Sequence, residues 1–323
     1  MLLIMTFKEI PLEEIDYSDE SFRISEELDS AAILNSLRAI GQLNPVCLLD
    51  REPRKVIVCG FRRLRALKQL GNTAVARILS ENECTPIQAL DLALWDNLSH
   101  RRLHLLEKAR VLLKLKHTCA LPEKRIVERY LPLLDLAPRE SVLLSCLSLN
   151  SLHPDIRRCL LDGRLTQGSV EYLAGTPWAV QADVAALMDK IRLSASMQRK
   201  VLNLLEELAA MGEVPLTGPL KNAEIQAALN DTHWSAFQKG EKLHAVLYQL
   251  RNPRLARAAE HFMEQKKSLA LPAAIEISTD PFFETPGLRV EFKAGTPGRF
   301  RTLAAALQGA SQMPALEELF DVR

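Results

Sequence analysis

The sequence carries no surplus of either charge: 41 lysines and arginines stand against 40 aspartates and glutamates, a net of +1. That balance excludes a polycationic binder of nucleic acid, so contact with a polyanion has to come from a local patch. Also missing is any C-x-x-C pair among the six cysteines, Cys47, Cys59, Cys84, Cys119, Cys146 and Cys159. Scattered and mostly inside apolar runs, they are expected to be buried free thiols in a reducing cytoplasm. No apolar run approaches membrane-spanning length, and Met1–Met5 is too short, with no basic segment before it, to form a signal-peptide core. A soluble, cytoplasmic protein without a membrane partner is expected.

What is present is a globular composition: 47% of the 323 residues are apolar and 25% charged, enough to bury two or three cores and too apolar for intrinsic disorder. The charges are unevenly spread. Glu9 to Asp29 is rich in carboxylates, whereas Arg51, Arg54, Lys55, Arg62, Arg63, Arg65, Lys68 and Arg77 face only Glu52 between positions 51 and 77.

The centre of that basic segment is Val56-Ile-Val-Cys-Gly-Phe-Arg-Arg-Leu-Arg-Ala-Leu-Lys-Gln-Leu-Gly71. Its β-branched start reads as a buried strand, Gly60 as a tight turn, and Leu64, Leu67 and Leu70 as one face of a helix that Gly71 stops. Arg62, Arg63 and Arg65 then crowd a helix start that already presents unpaired N–H groups, a placement local electrostatics disfavours unless an anion sits there. Guanidinium forks converging on phosphate give charge-assisted, bidentate hydrogen bonds. The other reading is that these arginines pair with nearby carboxylates or lie in solvent.

Around this stretch the chain alternates strand and helix up to about residue 100. Ile33, Leu37 and Ile40 share a helix face closed by Gly41, Pro45–Leu49 and Ala74–Leu79 read as strands, and Thr85-Pro86 opens another helix. At the end of that helix Asp96 and Asn97 could hold a hydrated Mg²⁺ or accept from the arginine helix; alternatively they close a helix whose last carbonyls Arg101 and Arg102 serve. From Leu103 to Leu205 only helical periodicity is found, cut by Pro122, Pro132, Pro138, Pro154 and Pro177 into short helices. A break is expected at Pro215–Pro219, then a helix over Ala223–Leu229 and a long one over Lys242–Lys266, interrupted at Asn252-Pro253. The alternating runs Ala274–Ser278 and Gly287–Phe292, followed by a helix from Gly298 to Leu307, make a small ββα unit.

Three boxes, taken together, resemble the ParB family of bacterial DNA-partition proteins, whose N-terminal domain binds CTP. Gly60-Phe-Arg-Arg-Leu-Arg-Ala66 is similar to its glycine-glutamate-arginine-arginine-x-arginine-alanine box, with Phe61 in place of the glutamate. Gly41-Gln-Leu-Asn-Pro-Val46 is similar to its glycine-leucine-leucine-glutamine-proline segment. Asp96-Asn97-Leu98, with Leu103 and Glu107-Lys-Ala109, is similar to its glutamate-asparagine box and the following helix, His100 standing where arginine is usual and Arg101 directly after it. Further on, Leu147–Leu152 and Ile156–Val170 resemble the leucine-rich segment after the family's recognition helix, Ser169 replacing a histidine.

The expected fold is α+β: the resemblance implies a mixed α/β ParB/sulfiredoxin-like domain over 1–102 and a helix-turn-helix-like all-α domain over 103–210, followed by a helical linker over 211–267. The ββα unit over 268–323, read from its patterning alone, buries too little by itself and is expected to pack on the preceding helix or to pair with a second copy as a dimerisation unit. The resemblance also implies a nucleotide site drawn from Gln42, Asn44, Pro45, Gly60, Phe61, Arg62, Arg63, Arg65, Asp96, Asn97, His100 and Arg101, binding CTP with Mg²⁺ on Asp96. Asp96 and Asn97 are the candidates for positioning water; without the glutamate at position 61, weak CTP hydrolysis at most is expected. DNA contacts would come from Arg139, Ser141, Arg157 and Arg158. The segment Ala137–Ser145 is a poor recognition helix, however, because Glu140 would face phosphate with the wrong sign. The leading expectation is thus a CTP-responsive DNA-partition switch that forms a homodimer and works with a partition ATPase. A nucleotide-sensing adaptor without DNA recognition is the alternative, and a sulfiredoxin-like or phosphoryl-transfer enzyme a weaker one, since Cys59 precedes the turn glycine instead of following it.

Overall fold

The computed structural model describes residues 7–26, 31–71, 73–82, 84–280 and 287–320. The Met1–Met5 run and the Asp29 end of the acidic stretch lie outside them. By internal contacts the chain divides into two units, Met1–Ala185 and Ala186–Arg323.

The first unit opens with Phe7–Pro11 (β1), Ile15–Asp16 (β2) and the helix Ala31–Ile40 (α1), which ends where Gly41 takes φ +73°. Next come Val46–Arg51 (β3), Arg54–Cys59 (β4), Phe61–Leu67 (α2), Thr73–Ser80 (β5) and Pro86–Leu98 (α3). The strands form one five-stranded sheet in the order β1-β5-β3-β4-β2. β3 runs parallel to β5, pairing Val46 with Ala76, and antiparallel to β4, pairing Leu48 with Ile57. Alternation along β3 sends Val46 and Leu48 to one face, where they pack with Ile57, Leu64, Leu67 and Ala76 under α1 and α2. α3 packs on β4, and its Leu90 and Leu94 are fully buried. Its start is capped as the Thr85-Pro86 signal implies, with the Gln88 side chain accepting from the Thr85 N–H at 2.8 Å.

Helices alone follow: Leu105–His117 (α4), Glu123–Arg125 (α5), a π-turn over Ile126–Tyr130, Leu131–Leu133 (α6), Glu140–Ser148 (α7), Pro154–Leu161 (α8), Gln167–Leu173 (α9) and Trp178–Lys190 (α10), within which the division between units falls. Leu106, Leu112, Leu115, Tyr130, Leu143, Leu149 and Ile156 are among the fully buried apolar side chains of this region. α7 is reached through Asp135 at φ +54° and Pro138.

In the second unit Ala195–Gly212 (α11), Ala223–Asn230 (α12) and Ala236–Arg251 (α13) pack together. Pro253 then starts Pro253–Ser268 (α14) at the expected interruption. Ile275–Ser278 (β6) and Arg289–Phe292 (β7) pair antiparallel, followed by Pro297–Ala310 (α15) and Pro314–Phe320 (α16). Their core is Phe262, Leu269, Ile277, Ala310 and Leu319. The fold is therefore α+β, a mixed sheet domain leading into helices, with a ββα unit near the end. No helix among the described residues is long and apolar enough to cross a membrane.

Candidate nucleotide site

The turn between β4 and α2 admits only glycine. Gly60 sits at φ +98°, and a Cβ there would lie 2.7 Å from Val46 Cγ1. α2 is shorter than expected: it closes after seven residues at Leu67, and Gln69 and Leu70 continue in tight turns before the Gly71 N–H bonds back to Leu67. The reason is that Leu64, Ala66 and Leu67 already bury the helix face, while Leu70 is left exposed. So short a helix supplies little macrodipole, and the positive field at its start comes from the arginine side chains.

Those side chains border a cavity of about 210 Å³ whose wall includes Gly60, Phe61, Arg62, Arg63, Asp96, Asn97, His100 and Arg101. Arg63 is held from behind, its Nη1 donating to the carbonyls of Asn44 at 2.8 Å and Pro45 at 2.5 Å, while its Nη2 lies 4.0 Å from Asp96 Oδ2. Arg62 also borders a neighbouring cavity of about 410 Å³ with Arg101, His104 and Glu107. Three guanidinium groups, an imidazole and an amide around one cleft, with a single carboxylate, fit a polyphosphate and one hydrated Mg²⁺. Among the described residues no group of three His, Cys, Asp or Glu side chains is arranged to hold a metal by itself.

Arg101 anchors the far wall. Its Nη1 and Nη2 fork the Glu107 carboxylate at 2.5 and 2.8 Å, and Nη2 also donates to Asn97 Oδ1 at 2.9 Å and Ser25 Oγ at 3.1 Å. Asn97 completes its amide by donating to the Ala93 carbonyl at 2.8 Å. Its polar atoms thus hold the wall together. Glu107, with a side chain only 4% exposed, further accepts from the backbone N–H of His104 at 3.2 Å and of Glu26 at 3.3 Å. Burial pushes its carboxyl upward, but the Arg101 hydrogen bonds and the charges of His104 and Arg101 outweigh this and leave it below the ordinary value. His104 is pulled down by burial, with Glu107 opposing.

Of the remaining sequence candidates, Gln42, Asn44, Pro45 and Arg65 do not border the cavity. Asn44 and Pro45 act through the carbonyls that hold Arg63. Gln42 clips β5, donating to Val75 O at 2.7 Å and accepting from Val75 N–H at 2.8 Å. Arg65 lies exposed on the outer side of α2, because Leu64 and Ala66 on either side of it are buried. Three of the six cysteines, Cys47, Cys59 and Cys119, are only partly buried, a departure from the expectation; Cys59 ends its strand on the cavity wall.

The expected DNA-contacting residues are not grouped alike. Arg139 and Ser141 are exposed at the start of α7, and Arg158 is exposed beside Asp155. Arg157 departs from the expectation: it turns inward and grips Glu26 Oε1 through Nε at 2.8 Å and Nη2 at 2.6 Å. Arg110 takes the other Glu26 oxygen. This Arg110–Glu26–Arg157 clamp, adjoining the Arg101–Glu107 pair, was invisible to sequence reasoning because its members lie far apart in the chain; only the His-x-x-Glu spacing of His104 and Glu107 hinted at a helix cap.

Fold and cleft together define a class: a mixed α/β domain that presents an arginine-bordered cavity beside a helical region. No family model matches the chain, but curated proteins do. It is 25% identical over 170 residues to a probable chromosome-partitioning protein ParB of Coxiella burnetii, covering 53% of this chain and 56% of that one. It is 27% identical over 169 residues to the chromosome-partitioning protein ParB of Myxococcus xanthus, covering 52% and 54%. The match to a probable ParB of Campylobacter jejuni is 24% over 166 residues, covering 51% and 55%. The chain thus spans about half the length of the curated relatives it matches. Solved structures similar to it include the C-terminally truncated ParB of Caulobacter crescentus complexed with CTP-gamma-S, at 22% identity, 57% of this chain and 99% of that one, TM-score 0.26. The same protein complexed to the centromeric parS site matches at 20% identity, 56% and 89%, TM-score 0.32. Over about half of its length the chain is thus similar in sequence to chromosome-partitioning ParB proteins.

Proposed function

We propose that the protein is a CTP-responsive DNA-partition factor that binds the triphosphate, with Mg²⁺, in the cavity beside α2. The observation that carries this reading is the convergence of Gly60, Arg62, Arg63, Asp96, His100 and Arg101 on one cleft. Arg62 and Arg63 take the phosphates, Gly60 lets the backbone approach them, and Asp96 orients water on the metal. Asn97 fixes Arg101 on the cavity wall. With Phe61 apolar and one carboxylate in reach, the cleft binds nucleotide and turns it over slowly or not at all. It acts as a switch in a cytoplasmic homodimer joined through the 268–323 unit, which a partition ATPase engages.

DNA contact is assigned to Arg139, Ser141 and Arg158 in the 103–210 region, with 211–267 as linker; Arg157 is left out because Glu26 holds it. The presence of Glu140 in the first turn of α7 favours, as a second reading, an adaptor that senses nucleotide without reading DNA. A thermal-shift panel of the four ribonucleoside triphosphates, with and without Mg²⁺, tests the main proposal, since a ligand of the native state raises its melting temperature. CTP with Mg²⁺ should give the largest rise; equal, negligible shifts for all four would reject the assignment.

A further inference from the structure

Cys47 and Cys59 are register partners across the antiparallel β3–β4 pair, at an irregularity between Cys47 and Leu48. Val46 and Leu48 point into the core under α1 and α2, so Cys47 between them takes the opposite sheet face, toward α3. Cys59, its register partner, meets it there: the two thiols lie near enough to perturb each other, and both feel the Asp96 carboxylate of α3. Both keep partial exposure, and Cys59 forms part of the cavity wall, which gives a small reagent a way in. The other cysteines are placed differently. Cys84, Cys146 and Cys159 are buried, although Cys84 lies near enough to feel the charge of Cys47.

We propose that Cys47 and Cys59 are a redox modification site, closing to a disulfide when the protein meets a hydroperoxide and thereby stapling β3 to β4 at the floor of the cavity. Donation from the neighbouring Cys59 thiol favours a thiolate on Cys47, an effect that outweighs burial and that Arg77 reinforces; Cys59 is correspondingly pushed up. Cys47 is therefore the attacking sulfur. Its thiolate displaces the O–O bond of the hydroperoxide, giving the Cys47 sulfenic acid, while the departing alkoxide takes up the proton Cys47 released. The Cys59 sulfur then displaces hydroxide from that sulfenic acid; the S–S bond forms, and the Cys59 proton leaves with the hydroxide as water. Two thiols are oxidised by two electrons, one hydroperoxide is reduced to an alcohol and water, and a dithiol reductant reverses the change.

The staple would lie between Val46, which packs against Gly60, and the turn that carries Arg62 and Arg63. Its formation is independent of any nucleotide. The test is intact-mass and peptide mapping of the full chain treated with hydrogen peroxide without ligand. A loss of about 2 Da, reversed by dithiothreitol and mapped to Cys47–Cys59, is expected. Cys47→Ser and Cys59→Ser should each abolish that loss, whereas Cys84→Ser and Cys119→Ser keep it; these last two decide the matter should either strand variant fail to fold. Uptake of oxygen without loss of two hydrogens, or a cross-link from Cys47 to Cys84, would overturn the proposal.

Discussion

Two helix starts in the first unit invite comparison. α2 begins on Gly60 with Arg62 and Arg63 beside a cleft, and α7 begins on Arg139 with Glu140 next to it on open surface. Both carry arginine where helix electrostatics disfavours it. At α2 the backbone carbonyls of Asn44 and Pro45 orient one guanidinium and the opposing wall brings a second set of donors into reach. At α7 Arg139 and Glu140 cancel, Leu144 lies 58% exposed on the same helix, and nothing gathers the charge. A cationic residue becomes a binding group when the fold aims several at one point; its presence at a helix end is not enough.

The comparison breaks most severely at the wall that Arg101 builds. Glu107→Ala would leave Arg101 half-buried without its carboxylate and is expected to cost roughly 3–5 kcal/mol of stability, read by denaturant unfolding. The same carboxyl has a pH signature. Its folded pKa lies below its unfolded one, so its contribution is present above the ordinary carboxylate range and is lost as pH falls through the lowered folded value. Glu107→Gln should therefore flatten the acid limb of the stability curve and leave the neutral-to-basic limb parallel to wild type.

Next in size is the contrast within α2. Arg62→Ala should weaken CTP binding about tenfold or more, from loss of charge-assisted bonds worth about 1.5–3 kcal/mol, while the exposed Arg65→Ala stays within about twofold. Calorimetric titration decides; equal losses at both positions would mean that general charge, and not the cleft, attracts the ligand. The smallest expected effect lies at α7. Glu140→Lys removes the opposing charge and should raise affinity for duplex DNA modestly, steepening the salt dependence by about one phosphate contact in an electrophoretic shift series.

Much of this was legible in the residues themselves. The strand, glycine and helix around Gly60, the Thr85-Pro86 start and the Asn252-Pro253 break are local signals, and the structure follows them. α13 starts earlier than apolar periodicity implied, at Ala236, because Ser235 caps it with Gln238, a Ser-x-x-Gln box that was available to read. The Arg110–Glu26–Arg157 clamp and the mutual contact of Cys47 and Cys59 were not legible. Each depends on residues brought together by strand register or helix packing, for which a single sequence has no short-range mark.

Gln42 has an effect larger than its size. By giving Val75 both a donor and an acceptor, its carboxamide imitates the backbone of a neighbouring strand and extends the sheet one rung past Val46, just where Pro45 has no N–H to offer. The loop that steadies Arg63 is in this way fastened by a counterfeit peptide group, which a glutamate of nearly the same shape would unfasten by presenting oxygen to oxygen.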